Sequence, residues 1–135
     1  MAELLGDLFT READFGPDPE KQALGLSSLV AGPSEQCGVL VAEQTGVVIG
    51  MATVQTLVST AEGGRVGLVE DVIVDPRHRG TGVGTRLLDA VEAWSRNRGL
   101  KRLQLLADRE NSSALDFYSR RCWNGTGLIC LRRMI

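Results

Sequence analysis

Residues 69–88 read Val-Glu-Asp-Val-Ile-Val-Asp-Pro-Arg-His-Arg-Gly-Thr-Gly-Val-Gly-Thr-Arg-Leu-Leu, an order that leaves few folds open. Val69, Val72, Ile73 and Val74 make an apolar strand. Gly80, Gly82 and Gly84 alternate through the loop behind it, and Leu87, Leu88, Val91 and Trp94 then share one face of a helix. A strand, a glycine loop and a helix start in that order suit a phosphate. Glycines let the backbone approach an anion, and first-turn amides of a helix have no partner of their own. Consecutive amides in such a turn form an anion-binding concavity. The chain is therefore expected to bind a ligand that carries phosphate.

Three kinds of phosphate loop compete. A P-loop needs Gly-x-x-x-x-Gly-Lys-Ser/Thr, and no lysine follows a glycine here at that spacing. A dinucleotide fingerprint needs Gly-x-Gly-x-x-Gly and an acid about 20 residues on. Thr85 stands where the third glycine of that pattern should be, and although Asp108 closes the next strand, too little chain follows it for the rest of a doubly wound sheet. The third kind is Arg-x-x-Gly-x-Gly, which Arg79, Gly80, Thr81, Gly82, Val83 and Gly84 match.

The rest of the chain bounds the fold. Its 135 residues amount to one domain, 1–135, and 43% apolar residues suffice for one core. A net charge of −2 gives no global field to attract nucleic acid. No apolar run approaches a membrane span, and the N-terminus lacks the basic start of a signal peptide. Cys37, Cys122 and Cys130 are odd in number, without metal spacing and with a single histidine beside them. Free thiols in a reducing cytoplasm, and no metal site, are the expectation.

Periodicity predicts helix over residues 2–12 from Leu4, Leu5, Leu8 and Phe9, broken by Asp14-Phe15-Gly16-Pro17. Asp18 reads as an N-cap with Pro19 in the first helical position, and Leu24, Ser28 and Leu29 extend that helix to about Val30. Strands follow over 38–43, Val47–Ser59 and Arg65–Val74, an antiparallel meander into the glycine loop. Gly99 is the natural end of the next helix. Leu103, Leu105 and Leu106 make a strand, Ser112–Arg121 a short helix, and Leu128–Met134 a last strand. The fold class is α/β: a mixed, mostly antiparallel twisted sheet flanked by helices.

A second motif lies downstream of the loop: Asn111-Ser112-Ser113-Ala114-Leu115-Asp116-Phe117-Tyr118, an Asn-x-x-Ala-x-x-Phe-Tyr. With Arg79-x-x-Gly82-x-Gly84 ahead of it and a strand between, the stretch from about Val39 to the C-terminus resembles the GNAT superfamily of N-acetyltransferases. The resemblance implies acetyl-CoA (acetyl-coenzyme A) as cofactor. It implies that the amides of Arg79–Gly84, with Thr85, cradle its pyrophosphate. It implies that the backbone of Val72, Ile73 and Val74 pairs with the pantetheine arm, and that Asn111, Ala114 and Phe117 lie along the cofactor.

Arg77, His78 and Arg79 would add positive charge near the phosphates. His78 reads as a surface residue rather than a catalytic one. Tyr118, the only tyrosine, sits at the family's usual general acid. Glu70 is the candidate general base, its bland alternative being a solvated carboxylate or a partner for Arg65. Alternation puts Glu70, Val72 and Val74 on one face and Asp71, Ile73 and Asp75 on the other. The Glu70-Asp71 pair resembles the branch that acetylates polyamines and small amines, where carboxylates also bind the substrate cation.

The implied reaction is acetyl transfer to a primary amine of a small cationic molecule by direct attack in a ternary complex. A protein amine as acceptor, and a non-catalytic acyl-CoA sensor, are the alternatives.

Two departures from the family pattern stand out. The chain opens on a helix where the family has a strand, so either that strand is absent or another chain or a rearranged terminus covers the sheet edge, and a homodimer is one assembly that would cover it. Cys122 stands where the family has glycine, and at a left-handed helix end a cysteine is strained.

Overall fold

The computed structural model describes residues 1–11 and 15–135. The elements are α1 (Ala2–Phe9), α2 (Pro19–Ala31), β1 (Cys37–Gln44), β2 (Val47–Ser59), β3 (Gly64–Val74), a 3-10 turn (Pro76–His78), α3 (Val83–Asn97), β4 (Leu103–Leu105) and α4 (Ser112–Arg120). They fall into two compact units, Met1–Leu105 and Leu106–Ile135.

The first unit holds the sheet, in the order β1-β2-β3-β4. Its first three strands are antiparallel and β4 runs parallel to β3, so the sheet is mixed and mostly antiparallel as expected. Thr45 and Gly46 both take positive φ (50° and 79°), the two-residue hairpin geometry whose twist matches the strands it joins. β2 is the centre of the unit: Met51, Ala52, Thr53 and Val54 are wholly buried.

Neighbouring residues on β3 sort the two faces. Ile73 packs with Leu4 and Leu5 of α1 and with Met51, while Val74 packs with Ile49 and with Val83 and Leu87 of α3. Successive side chains of a strand point to opposite faces, so α1 and α3 cover opposite sides of the sheet. The periodic stripe on α3 is the buried one: Leu87, Leu88 and Val91 are each at most 2% exposed. Gly38 on β1 makes room for α3, since a Cβ there would lie 2.8 Å from the Trp94 ring.

Local signals place the helix ends. The Asp18 carboxylate accepts from the Lys21 amide at 3.2 Å, with Pro19 leading α2. Gly99, at φ 67°, follows the C-cap of α3.

Three expectations need correction. α1 ends at Phe9 rather than running to residue 12, and Asp14, part of the expected break, lies outside the described residues. Leu128–Met134 forms no strand. Its apolar run has the composition of one, but Leu128, Leu131 and Met134 are each more than four-fifths exposed, with no ladder partner among the described strands. β4 also stops at Leu105, leaving Leu106 outside it and exposed. Among the described residues no helix is long and apolar enough to cross a membrane.

Candidate active site

The glycine loop forms where β3 runs out. Asp75 makes the last ladder bond, its amide donating to the Ile49 carbonyl at 2.9 Å. Its carboxylate then accepts from the Arg77 amide (2.9 Å), from Arg77 Nε (3.1 Å) and from Arg77 Nη2 (2.7 Å). Those bonds hold the Asp75 carboxyl well below the usual carboxylate range, mainly through the Arg77 guanidinium. Arg79 turns back as well, its Nε donating to the Val74 carbonyl at 2.9 Å. His78 Nδ1 lies 3.8 Å from the Asp75 carboxylate. Two of the positive side chains that the sequence places beside the phosphates, Arg77 and Arg79, are thus engaged with the strand end, while His78 Nδ1 makes no hydrogen bond among the described residues.

Gly80 and Gly82 take φ of 73° and 83°, and Gly82 is the N-cap of α3 without any side-chain cap. The first intrahelical bond comes only at Arg86, whose amide donates to the Gly82 carbonyl at 3.1 Å. The amides of Val83, Gly84 and Thr85 precede it and have no intrahelical acceptor. Val83, 2% exposed and packed with Ile49 and Leu87, fixes the direction of that first turn. The Thr81 hydroxyl donates to the His78 carbonyl at 2.6 Å and closes the loop. A glycine cap, uncapped amides and a rigid helix start fit a diphosphate. A basic group missed in the sequence adds to this: Arg86 Nη1 would lie 3.4 Å from a Cβ placed on Gly82. Its position in the first turn of the helix was the available signal.

Before the loop, β3 loses one neighbour. Its ladder with β4 runs from Gly67–Leu103 to Val69–Leu105 and stops. Beyond it, Glu70, Ile73 and Val74 pair only with β2 among the described strands. Since Asp75 bonds to β2, alternation turns the backbone groups of Ile73 toward β2 and those of Val74 toward the open side. The Val74 carbonyl on that side already accepts from Arg79, and the rest of the edge is what an amide-bearing arm can pair with.

The two carboxylates sit on a bulge. Thr53 is opposite Glu70 and Met51 is opposite Ile73, so Asp71 and Val72 share the single residue Ala52. Asp71 takes φ 54°, the left-handed region. The bulge overturns the expected alternation between Glu70 and Asp71. Asp71 Oδ2 accepts from the Thr53 hydroxyl at 2.9 Å, and Glu70 Oε2 accepts from Gln55 Nε2 at 2.9 Å. Thr53 and Gln55 are two apart on β2 and share a face, so both carboxylates come to that face. Ile73 lies on the same face beyond them, against α1, and Val74 on the other.

Packing against the sheet pushes the Glu70 carboxyl up from its usual range, with the neighbouring Asp71 charge adding to the rise and Gln55 opposing it. Burial likewise raises Asp71, against the Thr53 hydroxyl. The alternative partner for Glu70 falls away, since Arg65 donates to the Arg98 carbonyl at 2.8 Å. Nothing in the sequence singles out Thr53 and Gln55 beyond their place in a long strand.

The second unit carries the other motif. Asn111 caps α4, its side-chain oxygen accepting from the Ala114 amide at 3.1 Å and from the Ser113 hydroxyl at 3.1 Å. The helix bears half-buried Ala114, Phe117 and Tyr118. The Phe117 and Tyr118 rings are 5.4 Å apart, and Trp123 lies 6.1 Å from Tyr118. Cys122 keeps the left-handed position at φ 62° despite its side chain. The Trp123 amide bonds back to Tyr118 and the Cys122 amide to Ser119, both at 3.0 Å, a complete Schellman end.

The chain has relatives of known name. It is 34% identical over 110 residues to the mycothiol acetyltransferase of Thermobispora bispora, a match covering 77% of this chain and 37% of that protein. It is 30% identical over 108 residues to the mouse (Mus musculus) thialysine N-epsilon-acetyltransferase, covering 80% of this chain and 58% of that one. The chain therefore spans only about a third to just over half of these curated relatives. A solved structure of AAC(6')-Iy in complex with the bisubstrate analogue CoA-S-monomethyl-acetylneamine has the same fold (TM-score 0.80, 20% identity, 99% of this chain and 88% of that chain). The model of the acetyltransferase (GNAT) family matches residues 2–122. With the glycine loop and the motif helix in the family's order, this chain belongs to the GNAT acetyltransferase family, whose donor is acetyl-coenzyme A.

Proposed function

We propose that the chain transfers an acetyl group from acetyl-CoA to a primary amine of a small cationic molecule, by direct attack in a ternary complex. One observation carries this reading: the bulge in β3 turns Glu70 and Asp71 to one face, beside a strand edge that β4 leaves open and just ahead of an uncapped helix start. The mouse relative, named for acetylating thialysine at its ε nitrogen, supports an alkyl amine as acceptor.

The amides from Arg79 to Thr85 would hold the pyrophosphate, with the Arg86 guanidinium beside them. The Val72–Val74 backbone would align the pantetheine arm, and Asn111, Ala114 and Phe117 would line it. Acetyl-CoA supplies the acetyl group as a thioester, a carbonyl open to attack by an amine. The chain's main contribution is alignment, and orientation of this kind lowers a barrier by up to ~7–11 kcal/mol.

Proton traffic falls to the side chains. An alkyl ammonium has a pKa of about 10 and attacks only after losing a proton. Glu70, pushed up by partial burial and by Asp71, takes that proton better than an ordinary carboxylate does. Asp71 beside it attracts the cation. Tyr118 holds a phenolic proton for the departing sulfur, whose thiol pKa is about 8.5.

The test is release of free thiol from acetyl-CoA in the presence of an amine panel: diamines, polyamines, amino acids, aminoglycosides and a peptide with a free N-terminus. Turnover highest with small di- and polycationic amines is expected. Tight binding of acetyl-CoA without turnover of any amine would replace the enzyme by a sensor. Preference for the peptide would move the acceptor to proteins.

A further inference from the structure

Thr53 is out of place in the middle of β2. Its neighbours Met51, Ala52 and Val54 are apolar and, like Thr53, 0% exposed. Valine has the same shape and would fill the position without a polar atom. A hydroxyl buried this deeply costs free energy unless bonded. Its bond is to Asp71 Oδ2 at 2.9 Å, across to the neighbouring strand, at the one residue of β3 in the left-handed region. Two residues on, Gln55 does the same for Glu70. β2 thus provides one donor for each carboxylate of the bulge.

We propose that Thr53 is a positioning residue of the acceptor site: from the adjacent strand its buried hydroxyl fixes the Asp71 carboxylate beside Glu70, so that an ionised pair meets the incoming ammonium. The proposal rests on the reading of Glu70 and Asp71 as the amine-facing groups. The charged surroundings leave this bond the main support of the ionised Asp71. β2 offers only Thr53 and Gln55 to the pair, and paired β4 offers Leu103, Gln104 and Leu105. α1, which packs on Ile73, carries Glu3 and Asp7, with Arg11 just beyond it, and Asp7 and Arg11 act on Arg79. Against Thr53 stands the burial of Asp71. Without the hydroxyl, Asp71 takes up a proton at higher pH and loses its attraction for a cation.

The experiment compares Thr53→Val and Thr53→Ser with the parent chain in two readouts. The first is the carboxyl carbon resonance of Asp71 in aspartate-labelled protein, assigned by its disappearance in Asp71→Asn. A hydrogen bond to a charged group contributes ~1.5 kcal/mol, so its midpoint should rise by about one pH unit in Thr53→Val. Thr53→Ser should leave it in place. An unmoved midpoint in Thr53→Val, or an equal rise in both variants, overturns the proposal.

The second readout is kcat/KM against pH with acetyl-CoA and 1,4-diaminobutane. The acid limb should move to higher pH by the same interval in Thr53→Val and be restored in Thr53→Ser. If Thr53→Val lowers the curve by one factor at every pH, Thr53 is a packing residue and the proposal fails while acetyl transfer stands. If the parent chain releases no thiol with any amine, the acetyl-transfer reading falls first and takes the role of Thr53 with it.

Discussion

Two residues with left-handed backbone frame the site, and they reach that conformation by opposite routes. Gly82, at φ 83°, stands in a loop of alternating glycines, and its lack of a side chain is the whole reason it can cap α3 as it does. Asp71, at φ 54°, is an aspartate in the middle of a strand, held there by a bulge and by a hydroxyl from the next strand. The first device is local and the second depends on pairing. The half of the site proposed to grip phosphate is therefore built from consecutive residues. The half proposed to face the amine is built across two strands whose register must be right before it exists.

That contrast predicts unequal responses to substitution. The largest effect is expected at Gly82. Gly82→Glu adds a negative charge where the anion should lie and a side chain where left-handed backbone costs ~1–2 kcal/mol. Affinity for acetyl-CoA, measured by calorimetry, should fall more than ~100-fold, a loss of at least 2.7 kcal/mol by RT ln K. The far-ultraviolet dichroism should stay as it is. Gly82→Ala sharpens the comparison, because its Cβ meets only Arg86 Nη1, at 3.4 Å. It should lose much less affinity. Undiminished binding in Gly82→Glu would remove the loop from the cofactor.

Glu70→Gln probes the other half. General-base catalysis is worth ~10²–10⁴-fold, so kcat near pH 7 should drop by at least ~100-fold with acetyl-CoA affinity intact. The loss should shrink toward pH 10, where the amine arrives deprotonated. A deficit equal at every pH would make Glu70 a cation binder alone. Tyr118→Phe should cost less, about 10–100-fold in kcat, because the thiolate departs unaided once the solution is near its own pKa of about 8.5. An unchanged rate would take the acid role from Tyr118.

The same division separates what the sequence discloses from what it hides. Asp18-Pro19, Gly99 and Asn111 act within their own turn of chain, and each lies where its local chemistry puts it. The three long strands and α3 are legible because their apolar periods extend over many residues. The bulge is not. Simple alternation separates Glu70 from Asp71, and only the pairing of Thr53 with Glu70 and Met51 with Ile73 brings them together. The engagement of Arg77 with Asp75, and of Arg79 with the Val74 carbonyl, is hidden too, since a basic run beside glycines reads as a phosphate contact. Leu128–Met134 shows the converse failure: β-type composition predicts a strand, but strand structure is a property of a partner.

Asp71→Asn tests whether the pairing-built half is held against a cost. Burial raises the folded-state pKa of Asp71, so ionising it opposes folding. The penalty is absent below the unfolded-state pKa, near 3.9, grows as pH rises toward the folded value, and is complete above it. Asparagine tolerates left-handed backbone and still accepts from Thr53. Asp71→Asn should therefore melt higher than the parent at pH 7, and the difference should vanish as pH falls below about 4. Lower stability at pH 7 would mean that the bulge needs the charge. The gain should come with a loss of amine turnover, as at sites kept for function rather than stability.

The smallest effect is expected where local chemistry has been overruled. Cys122 ends α4 at φ 62°, a position that glycine takes without strain. Both Schellman bonds form, from Cys122 to Ser119 and from Trp123 to Tyr118, so the turn is complete and the cysteine bears its cost. Non-glycine residues in that region cost ~1–3 kcal/mol, while glycine gives back part of the gain through a freer unfolded chain, typically ~0.4–1 kcal/mol. Cys122→Gly should stabilise the protein by about 0.5–1 kcal/mol in urea unfolding, with the m-value unchanged. Cys122→Ala keeps the Cβ and should gain nothing. If the glycine variant is no more stable than the alanine one, the strain is not at Cys122. The left-handed turn beneath Tyr118 would then be held from outside its own residues, as Asp71 is, and α4 would join the pairing-built half of the molecule.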